Sequence, residues 1–128
     1  MSLSETKPPA QRILVVDDEP FVCESVKMML SYDGHVVETA GSGRDALAKY
    51  DPAIFDLVIT DYSMEGMKGD QLAAEIKRLA PSKPIILLTA FPPENKPAAI
   101  DLVITKPFYF DTLRQALASM LTFGTAGL

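Results

Sequence analysis

The sequence has one cysteine and no apolar run that approaches the length of a membrane span. Cys23 cannot form a disulfide within the chain, and its position in an apolar-periodic stretch indicates helix packing rather than catalysis or metal binding. A membrane helix needs roughly 18 or more apolar residues, and residues 1–11 lack the apolar core of a signal peptide. We therefore expect a cytoplasmic protein in a reducing compartment, without membrane contact.

The chain also lacks a basic stripe. It carries 12 Lys and Arg against 17 Asp and Glu, which gives a formal net charge of −5. Proteins that bind nucleic-acid backbones present clustered positive charge on one face. Direct nucleic-acid binding is therefore not expected.

The length and composition favour one compact domain. The chain has 128 residues, of which 48% are hydrophobic, so it can bury a substantial core but is too short for two ordinary domains. The polar segment 1–11 predicts a disordered leader. The domain is expected over residues 12–123, with a short tail over residues 124–128.

Short apolar runs alternate with longer helix-period segments, which predicts an α/β fold with a doubly wound parallel sheet. The three most apolar runs suit central strands covered on both faces, and the two others suit the sheet margins. The central runs are Ile13–Val16, Leu57–Ile59 and Ile85–Leu88, and the marginal runs are His35–Thr39 and Leu102–Ile104.

Helical periodicity predicts four helices, and prolines argue against another. Apolar spacing marks helices around 22–30, 72–79 and 110–121, and a capping box of Ser42 with Asp45 marks the start of one more. After the fourth predicted strand, Pro92, Pro93 and Pro97 follow closely, and proline both removes a backbone donor and clashes with the preceding turn. A helix in that segment is predicted to be shortened or missing.

Polar residues follow the predicted strands. Asp17 and Asp18 come after the first strand, Asp61 after the third, Thr89 at the end of the fourth and Lys106 after the fifth. The carboxyl ends of parallel strands lie on one edge of a sheet, where α/β proteins bind ligands. The five side chains are therefore expected to converge.

Such a cluster favours phosphoryl chemistry. Carboxylates placed roughly 4 Å apart repel by about 1–4 kcal/mol per pair, so a cation is needed among them. Mg²⁺ prefers oxygen ligands, and Lys106 adds a second positive charge. One carboxylate can then act as a nucleophile toward phosphorus, and Thr89 can hydrogen-bond a phosphoryl oxygen.

Four motifs in order carry a family resemblance that spans about Arg12–Leu121. The motifs are Val15-Val16-Asp17-Asp18-Glu19, Asp56 to Asp61 followed by Met64, Met67 and Gly69, Leu88-Thr89-Ala90, and Lys106-Pro107-Phe108. With these motifs the chain resembles a response-regulator receiver domain of two-component or phosphorelay systems.

The resemblance implies a flavodoxin-like, five-stranded sheet of order 2-1-3-4-5 and a phosphoacceptor role for Asp61. It implies that Mg²⁺, or Mn²⁺, binds Asp18 and Asp61 directly, Asp17 mainly through water and Ser63 through its backbone carbonyl.

For the phosphoryl group, the resemblance implies contacts from Lys106 and Thr89. It also implies a cis Lys106-Pro107 bond. The donor would be a histidine kinase or phosphotransfer protein, and the output a downstream protein partner or an output domain outside this chain. Such a domain assists only its own phosphorylation and dephosphorylation, so it is not an enzyme in the usual sense.

The sequence departs from the family pattern at three places. Glu65 stands where proline is usual, which predicts a more mobile loop after Asp61. The segment between Thr89 and Lys106 is short, and Val103 occupies the position of the usual switch aromatic. Phe91 is a candidate substitute because it lies near Thr89.

These departures leave an alternative open, namely a degenerate receiver that acts as a phosphorylation-independent interaction module. A metal-dependent phosphatase with an aspartyl nucleophile is a third hypothesis. Asp17 and Asp18 are adjacent and no cap domain is present, whereas haloacid-dehalogenase-like phosphatases carry Asp-x-Asp after the first strand, so the sequence argues against it.

Each site residue alone also has a structural explanation. Asp17 and Asp18 could cap a helix, and the functional interpretation depends on the joint pattern with Asp61 and Lys106. His35 is expected to be structural. Two further sets have simple structural interpretations: core packing for Met64 and Met67, and a solvated helix face for Glu75, Lys77 and Arg78.

Overall fold

The computed structural model describes residues 9–126, and side chains over residues 9–120. Most of the predicted leader, residues 1–8, and the last two residues of the predicted tail lie outside this part. The order of the elements is β1 (Arg12–Val16), α1 (Pro20–Tyr32), β2 (Val36–Ala40), α2 (Gly43–Lys49), β3 (Leu57–Thr60), α3 (Gly69–Leu79), β4 (Ile85–Thr89), β5 (Leu102–Thr105) and α4 (Phe110–Ala126).

The five strands form one parallel sheet in the order β2-β1-β3-β4-β5. This confirms the predicted fold class and strand order. The three continuously apolar runs became the central strands β1, β3 and β4, and the more polar β2 and the short β5 lie at the edges. The distribution follows from burial, because helices cover central strands on both faces.

Alternate residues of each strand pack into two separate cores. In β1, Ile13 and Val15 face the core formed with α1 and α4, whereas Leu14 and Val16 face the core formed with α2 and α3. Cys23 lies buried in the α1 and α4 core, which confirms its predicted packing role.

The helix α2 begins where the capping pattern predicts. The Ser42 hydroxyl accepts a hydrogen bond from the backbone N–H of Asp45 at 3.0 Å. The Asp45 carboxylate accepts the N–H of Gly41 at 3.3 Å, one residue earlier than in the usual reciprocal capping box. Two backbone donors near the helix start are thereby satisfied.

No helix connects β4 to β5, which confirms the prediction from the prolines. The side chain of Ile100, near the end of this connection, is buried in the core that α2 and α3 share with the sheet. One isoleucine therefore covers part of the sheet face that a connecting helix would otherwise cover.

Candidate functional site

The carboxyl ends of four strands place the predicted site residues at one edge of the sheet. Backbone hydrogen bonds join these ends in two pairs: the N–H of Asp61 donates to the carbonyl of Val16 at 2.9 Å, and the N–H of Lys106 donates to the carbonyl of Thr89 at 2.8 Å. The strand ends converge as the sequence predicts because all four strands run parallel.

Three carboxylates form the centre of the site. One oxygen from each of Asp17, Asp18 and Asp61 lies within 4.8 Å of the other two. The side chains of Asp17 and Asp61 are buried, whereas Asp18 is exposed. Carboxylate oxygens at such spacing fit a hard divalent cation such as Mg²⁺, because it binds through one or two carboxylates and retains water on its open side.

Lys106 lies beside the carboxylates. Its Nζ is 2.8 Å from Asp17 Oδ2 and 3.9 Å from Asp61 Oδ2. The Lys106-Pro107 peptide bond is cis, as the resemblance implies. The ammonium group offsets part of the repulsion between the two buried carboxylates, and it can approach a phosphoryl oxygen placed on Asp61.

Asp61 is held in a defined orientation. Its Oδ1 accepts the N–H of Tyr62 at 2.8 Å. Burial raises the pKa of Asp61 above its usual value, and the neighbouring Thr89 hydroxyl and the charge of Lys106 oppose this rise. The folded protein therefore destabilises the charged carboxylate, and a cation bound at the site would relieve this cost.

The loop after Asp61 packs against the start of α3. Met64 is buried and Met67 packs against the same core, which confirms the packing prediction for both. Ser63 is exposed, two residues after Asp61, and its carbonyl role stays a prediction. The N–H of Glu65 donates to Asp18 Oδ2 at 3.4 Å. Proline, the usual residue of the family there, has no N–H for this contact.

The sequence did not reveal one polar cluster next to the site-bearing strands. Asp101 Oδ2 accepts hydrogen bonds from Lys77 Nζ and from the N–H of Ile85, both at 2.8 Å. The prediction that Lys77 lies on a solvated helix face is therefore wrong, whereas the exposed pair of Glu75 and Arg78 fits it. The only sequence signal for this cluster is a charged residue directly before β5.

A protein-family comparison agrees with this geometry. The model for the response regulator receiver domain matches residues 13–118. The chain belongs to the response regulator receiver domain family. This match confirms the family resemblance seen in the motifs. A receiver domain is a signalling module of two-component systems.

The similar proteins include a bacterial transcriptional regulator. The chain is 40% identical to transcriptional regulatory protein ZraR of Salmonella typhimurium strain LT2 over 115 residues, which cover 85% of this chain and 26% of ZraR. The chain thus spans about a quarter of the length of this relative.

Two of the similar solved structures contain the same protein. Response regulator protein TrrA of Thermotoga maritima, in complex with Mg²⁺ and BeF, is 38% identical with a TM-score of 0.80, covering 86% of this chain and 98% of TrrA. A complex of histidine kinase ThkA with TrrA contains a chain with 38% identity and a TM-score of 0.78, covering 87% of this chain and 98% of that one. Within residues 9–126, no helix is long and apolar enough to cross a membrane.

Proposed function

We propose that this receiver domain accepts a phosphoryl group on Asp61 with the help of one divalent cation, Mg²⁺ or Mn²⁺, and signals by a changed affinity for a protein partner. The observation that carries the proposal is the cluster of three carboxylates, one oxygen from each within 4.8 Å of the others, beside Lys106. The TrrA complex with Mg²⁺ and BeF supports it, because that protein is 38% identical.

Each residue of the site has a separate role in the proposed phosphoryl transfer. Asp61 is the nucleophile: one of its carboxylate oxygens forms a bond to phosphorus as the bond between phosphorus and the donor breaks, and the donor leaves with that electron pair. The N–H of Tyr62 holds Oδ1 at 2.8 Å, which leaves Oδ2, on the Lys106 side, to attack. The attacking oxygen is therefore oriented before the donor arrives.

A divalent cation held by Asp17, Asp18 and Asp61, with the carbonyl of Ser63, would neutralise charge on the phosphoryl oxygens. Lys106 then supplies a second positive charge to those oxygens, and the Thr89 hydroxyl donates a hydrogen bond to one of them. Lys106 is already oriented by its 2.8 Å contact with Asp17. The chain assists only this transfer and its reversal by hydrolysis, so we do not class it as an enzyme.

We propose a histidine kinase or phosphotransfer protein as the donor. The complex of ThkA with the similar protein TrrA supports this choice. The output is a downstream protein or an output domain, and the second option is supported by ZraR, of which this chain covers 26%. The net charge of −5 argues against direct nucleic-acid contact by the receiver domain itself.

The test is intact mass after incubation with Mg²⁺ and phosphoramidate or acetyl phosphate. We expect one hydroxylamine-labile phosphoryl adduct on the unmodified chain, loss of the adduct in Asp61→Asn, and retention in the matched control Asp70→Asn. Asp70 lies in the first turn of α3 and outside the carboxylate cluster. Chelation of the cation with EDTA should prevent labelling.

Failure to label with these donors, and failure to bind beryllofluoride with Mg²⁺, would overturn the proposal. The chain would then be a phosphorylation-independent interaction module, whose affinity for its partner is the same with and without a phosphoryl mimic. The retained carboxylate cluster and Lys106 do not favour that alternative, because an interaction module has no need to keep three repelling carboxylates together.

A further inference from the structure

Two of the three carboxylates in the cluster are fixed by groups at the ends of the site-bearing strands. Asp17 Oδ1 accepts the N–H of Glu19 at 2.9 Å, and Asp61 Oδ1 accepts the N–H of Tyr62 at 2.8 Å. Both carboxylates are buried, and Lys106 Nζ lies beside their second oxygens. Their orientation is therefore set by backbone groups close in sequence and by the lysine.

The third carboxylate, Asp18, is held from another part of the chain. It is exposed, unlike the other two. Its Oδ2 accepts the N–H of Glu65 at 3.4 Å, across 47 positions of sequence. Asp18 follows β1 and Glu65 lies in the loop after β3, so this hydrogen bond joins two loops at the site. An exposed carboxylate without such a contact has several side-chain rotamers open to it.

The donor in this contact is the backbone of Glu65, whose residue is exposed in the loop. A carboxylate offers about four lone-pair sites, so one N–H leaves Asp18 able to bind a cation as well. One Asp18 oxygen lies within 4.8 Å of an oxygen of Asp17 and of one of Asp61. The contact from Glu65 therefore restrains Asp18 where the three carboxylates can share one cation.

We propose that Glu65 is a positioning residue for the divalent cation, and that it acts through its backbone N–H rather than its carboxylate. The N–H orients Asp18 before the cation arrives, so binding does not have to restrict that side chain. Hydrogen bonds to ligating carboxylates act in this way at metal sites. This inference rests on the proposed use of Mg²⁺ or Mn²⁺ by the site.

The expected size of the effect follows from the length of the contact. Partners that orient metal ligands typically change metal affinity by about 10- to 100-fold. At 3.4 Å the contact from Glu65 is longer than an ordinary N–H···O hydrogen bond, and Asp18 is open to solvent. We therefore expect its loss to raise the Kd for Mg²⁺ by about three- to tenfold, at the low end of that range or below it.

Two substitutions at position 65 separate the N–H from the side chain. Glu65→Ala removes the carboxylate and keeps the N–H, whereas Glu65→Pro removes both. The two variants therefore have the same charge and differ in the backbone donor. The φ angle of Glu65 is negative, as proline requires.

An NMR titration with Mg²⁺ gives the Kd for each protein. The reporter is the Tyr62 amide, whose nitrogen lies 2.8 Å from Asp61 Oδ1. We expect Glu65→Pro to bind Mg²⁺ about three- to tenfold more weakly than Glu65→Ala. Glu65→Ala should stay within about twofold of the unmodified chain, because solvent and salt screen a charge at this exposed position.

Labelling by phosphoramidate distinguishes positioning of the cation from damage to the site. The initial rate is measured against Mg²⁺ concentration for both variants. Glu65→Pro should need about three- to tenfold more Mg²⁺ to reach half of its maximal rate, and its maximal rate should equal that of Glu65→Ala. A lower maximal rate at an unchanged half-maximal Mg²⁺ concentration would contradict the proposal, since proline would then act on the site and not on cation binding.

Amide exchange provides a test without any substitution. If the N–H of Glu65 favours cation binding, the cation favours the hydrogen bond of that N–H by the same factor, because the two equilibria are linked. We expect saturating Mg²⁺ to slow hydrogen exchange at the Glu65 amide about three- to tenfold more than at Gly66, its exposed neighbour in the loop. This comparison decides even if Glu65→Pro does not fold.

The outcomes separate the two proposals. Equal Mg²⁺ affinity of Glu65→Pro and Glu65→Ala overturns this inference, as does equal slowing of exchange at Glu65 and Gly66. Labelling of the unmodified chain on Asp61 leaves the proposed function standing in both cases. Absence of both Mg²⁺ binding and a phosphoryl adduct on the unmodified chain overturns the proposed function and this inference with it.

Discussion

Lys106 is the residue on which the buried part of the site depends. Its Nζ lies 2.8 Å from Asp17 Oδ2 and 3.9 Å from Asp61 Oδ2. Removal of the ammonium group therefore takes away the positive charge that lies beside these two buried carboxylates. Loss of one partner of a fully buried pair costs roughly 3–5 kcal/mol. Because 18% of the Lys106 side chain is exposed, we expect Lys106→Met to lower the free energy of unfolding by about 2–3 kcal/mol without Mg²⁺.

Urea denaturation with and without Mg²⁺ measures this effect. We expect Mg²⁺ to stabilise Lys106→Met more than the unmodified chain, because the cation supplies the missing positive charge at the same carboxylates. Lys27→Met, on an exposed position of α1, is the matched control and should change stability by less than about 0.5 kcal/mol. Equal stability of Lys106→Met and the unmodified chain would contradict the prediction.

His35 makes a second residue-scale prediction, on pH. The side chain is buried, its Nδ1 accepts the N–H of Gln11 at 3.0 Å, and burial lowers its pKa from the usual 6.5. The folded state therefore favours neutral His35, so its contribution to stability is intact above pH 6.5 and is lost as the pH falls below it. Asp33 opposes the lowering but does not reverse it.

We expect the free energy of unfolding to fall more steeply as the pH is lowered from 6.5 to about 5.5 for the unmodified chain than for His35→Gln. Glutamine can still accept a hydrogen bond but does not titrate. Parallel pH profiles of the two proteins would show that His35 does not supply the dependence.

At the scale of single residues, the sequence predicted which side chains converge at the site, but not which backbone N–H groups donate hydrogen bonds to them. Asp17, Asp61 and Lys106 were predictable because strand ends bring residue types with a recognisable chemistry together. Two hydrogen bonds from backbone N–H groups were not predictable: the one from Glu65 to the Asp18 carboxylate and the one from Phe91 to the Thr89 hydroxyl. Every non-proline residue has the same backbone donor, so the sequence does not mark these two. Only the folded loop shows which of these donors reach the site.

Among the elements, α3 positions the site through its first residue. The N–H of Gly69 donates to the carbonyl of Tyr62 at 3.0 Å, and a Cβ added at Gly69 would overlap the backbone carbonyl oxygen of Asp61. Backbone atoms cannot turn aside as a flexible side chain can. We expect Gly69→Ala to displace the loop after Asp61, lower stability by about 1–3 kcal/mol and slow phosphoramidate labelling at least about tenfold.

Gly41→Ala is the control for this prediction, because a Cβ there meets no atom within 4 Å and its backbone needs no positive φ. Thermal unfolding and the initial rate of labelling by intact mass are the two measurements. A Gly69→Ala protein that labels at the rate of the unmodified chain would show that the contact with the Asp61 carbonyl is not needed for the site.

The helices and strands were predictable because their signals lie in the local sequence. Apolar runs predicted the five strands, periodicity predicted three helices and a capping pattern the fourth, and prolines predicted the missing helix. The hydrogen bonds that Asp101 accepts from Lys77 and Ile85 join α3, β4 and the connection before β5, so they depend on tertiary contacts that neither periodicity nor a motif encodes.

At the scale of the whole molecule, the surface of α1 carries three large apolar side chains that are exposed. Phe21, Met28 and Tyr32 are 83%, 72% and 78% exposed, and their spacing of seven and four residues places them on one helix face. The helix begins three residues after Asp17, so this face starts at the edge of the sheet that carries the site. We expect the proposed phosphodonor protein to dock on this apolar stripe, because such a donor has to bring its phosphoryl group to the proposed acceptor, Asp61.

The stripe can be separated from the chemistry of the site by using two kinds of donor. Met28→Glu places a charge in the middle of the stripe and should slow transfer from a histidine kinase that phosphorylates the unmodified chain by roughly tenfold or more. Labelling by phosphoramidate should not change, since a small donor needs no docking surface. The matched control is Leu79→Glu, at an exposed position at the end of α3. This variant should accept the phosphoryl group from the kinase at the rate of the unmodified chain. An equal loss in both variants would place the docking surface elsewhere, and an equal loss with both donors would show that Met28→Glu damages the site itself.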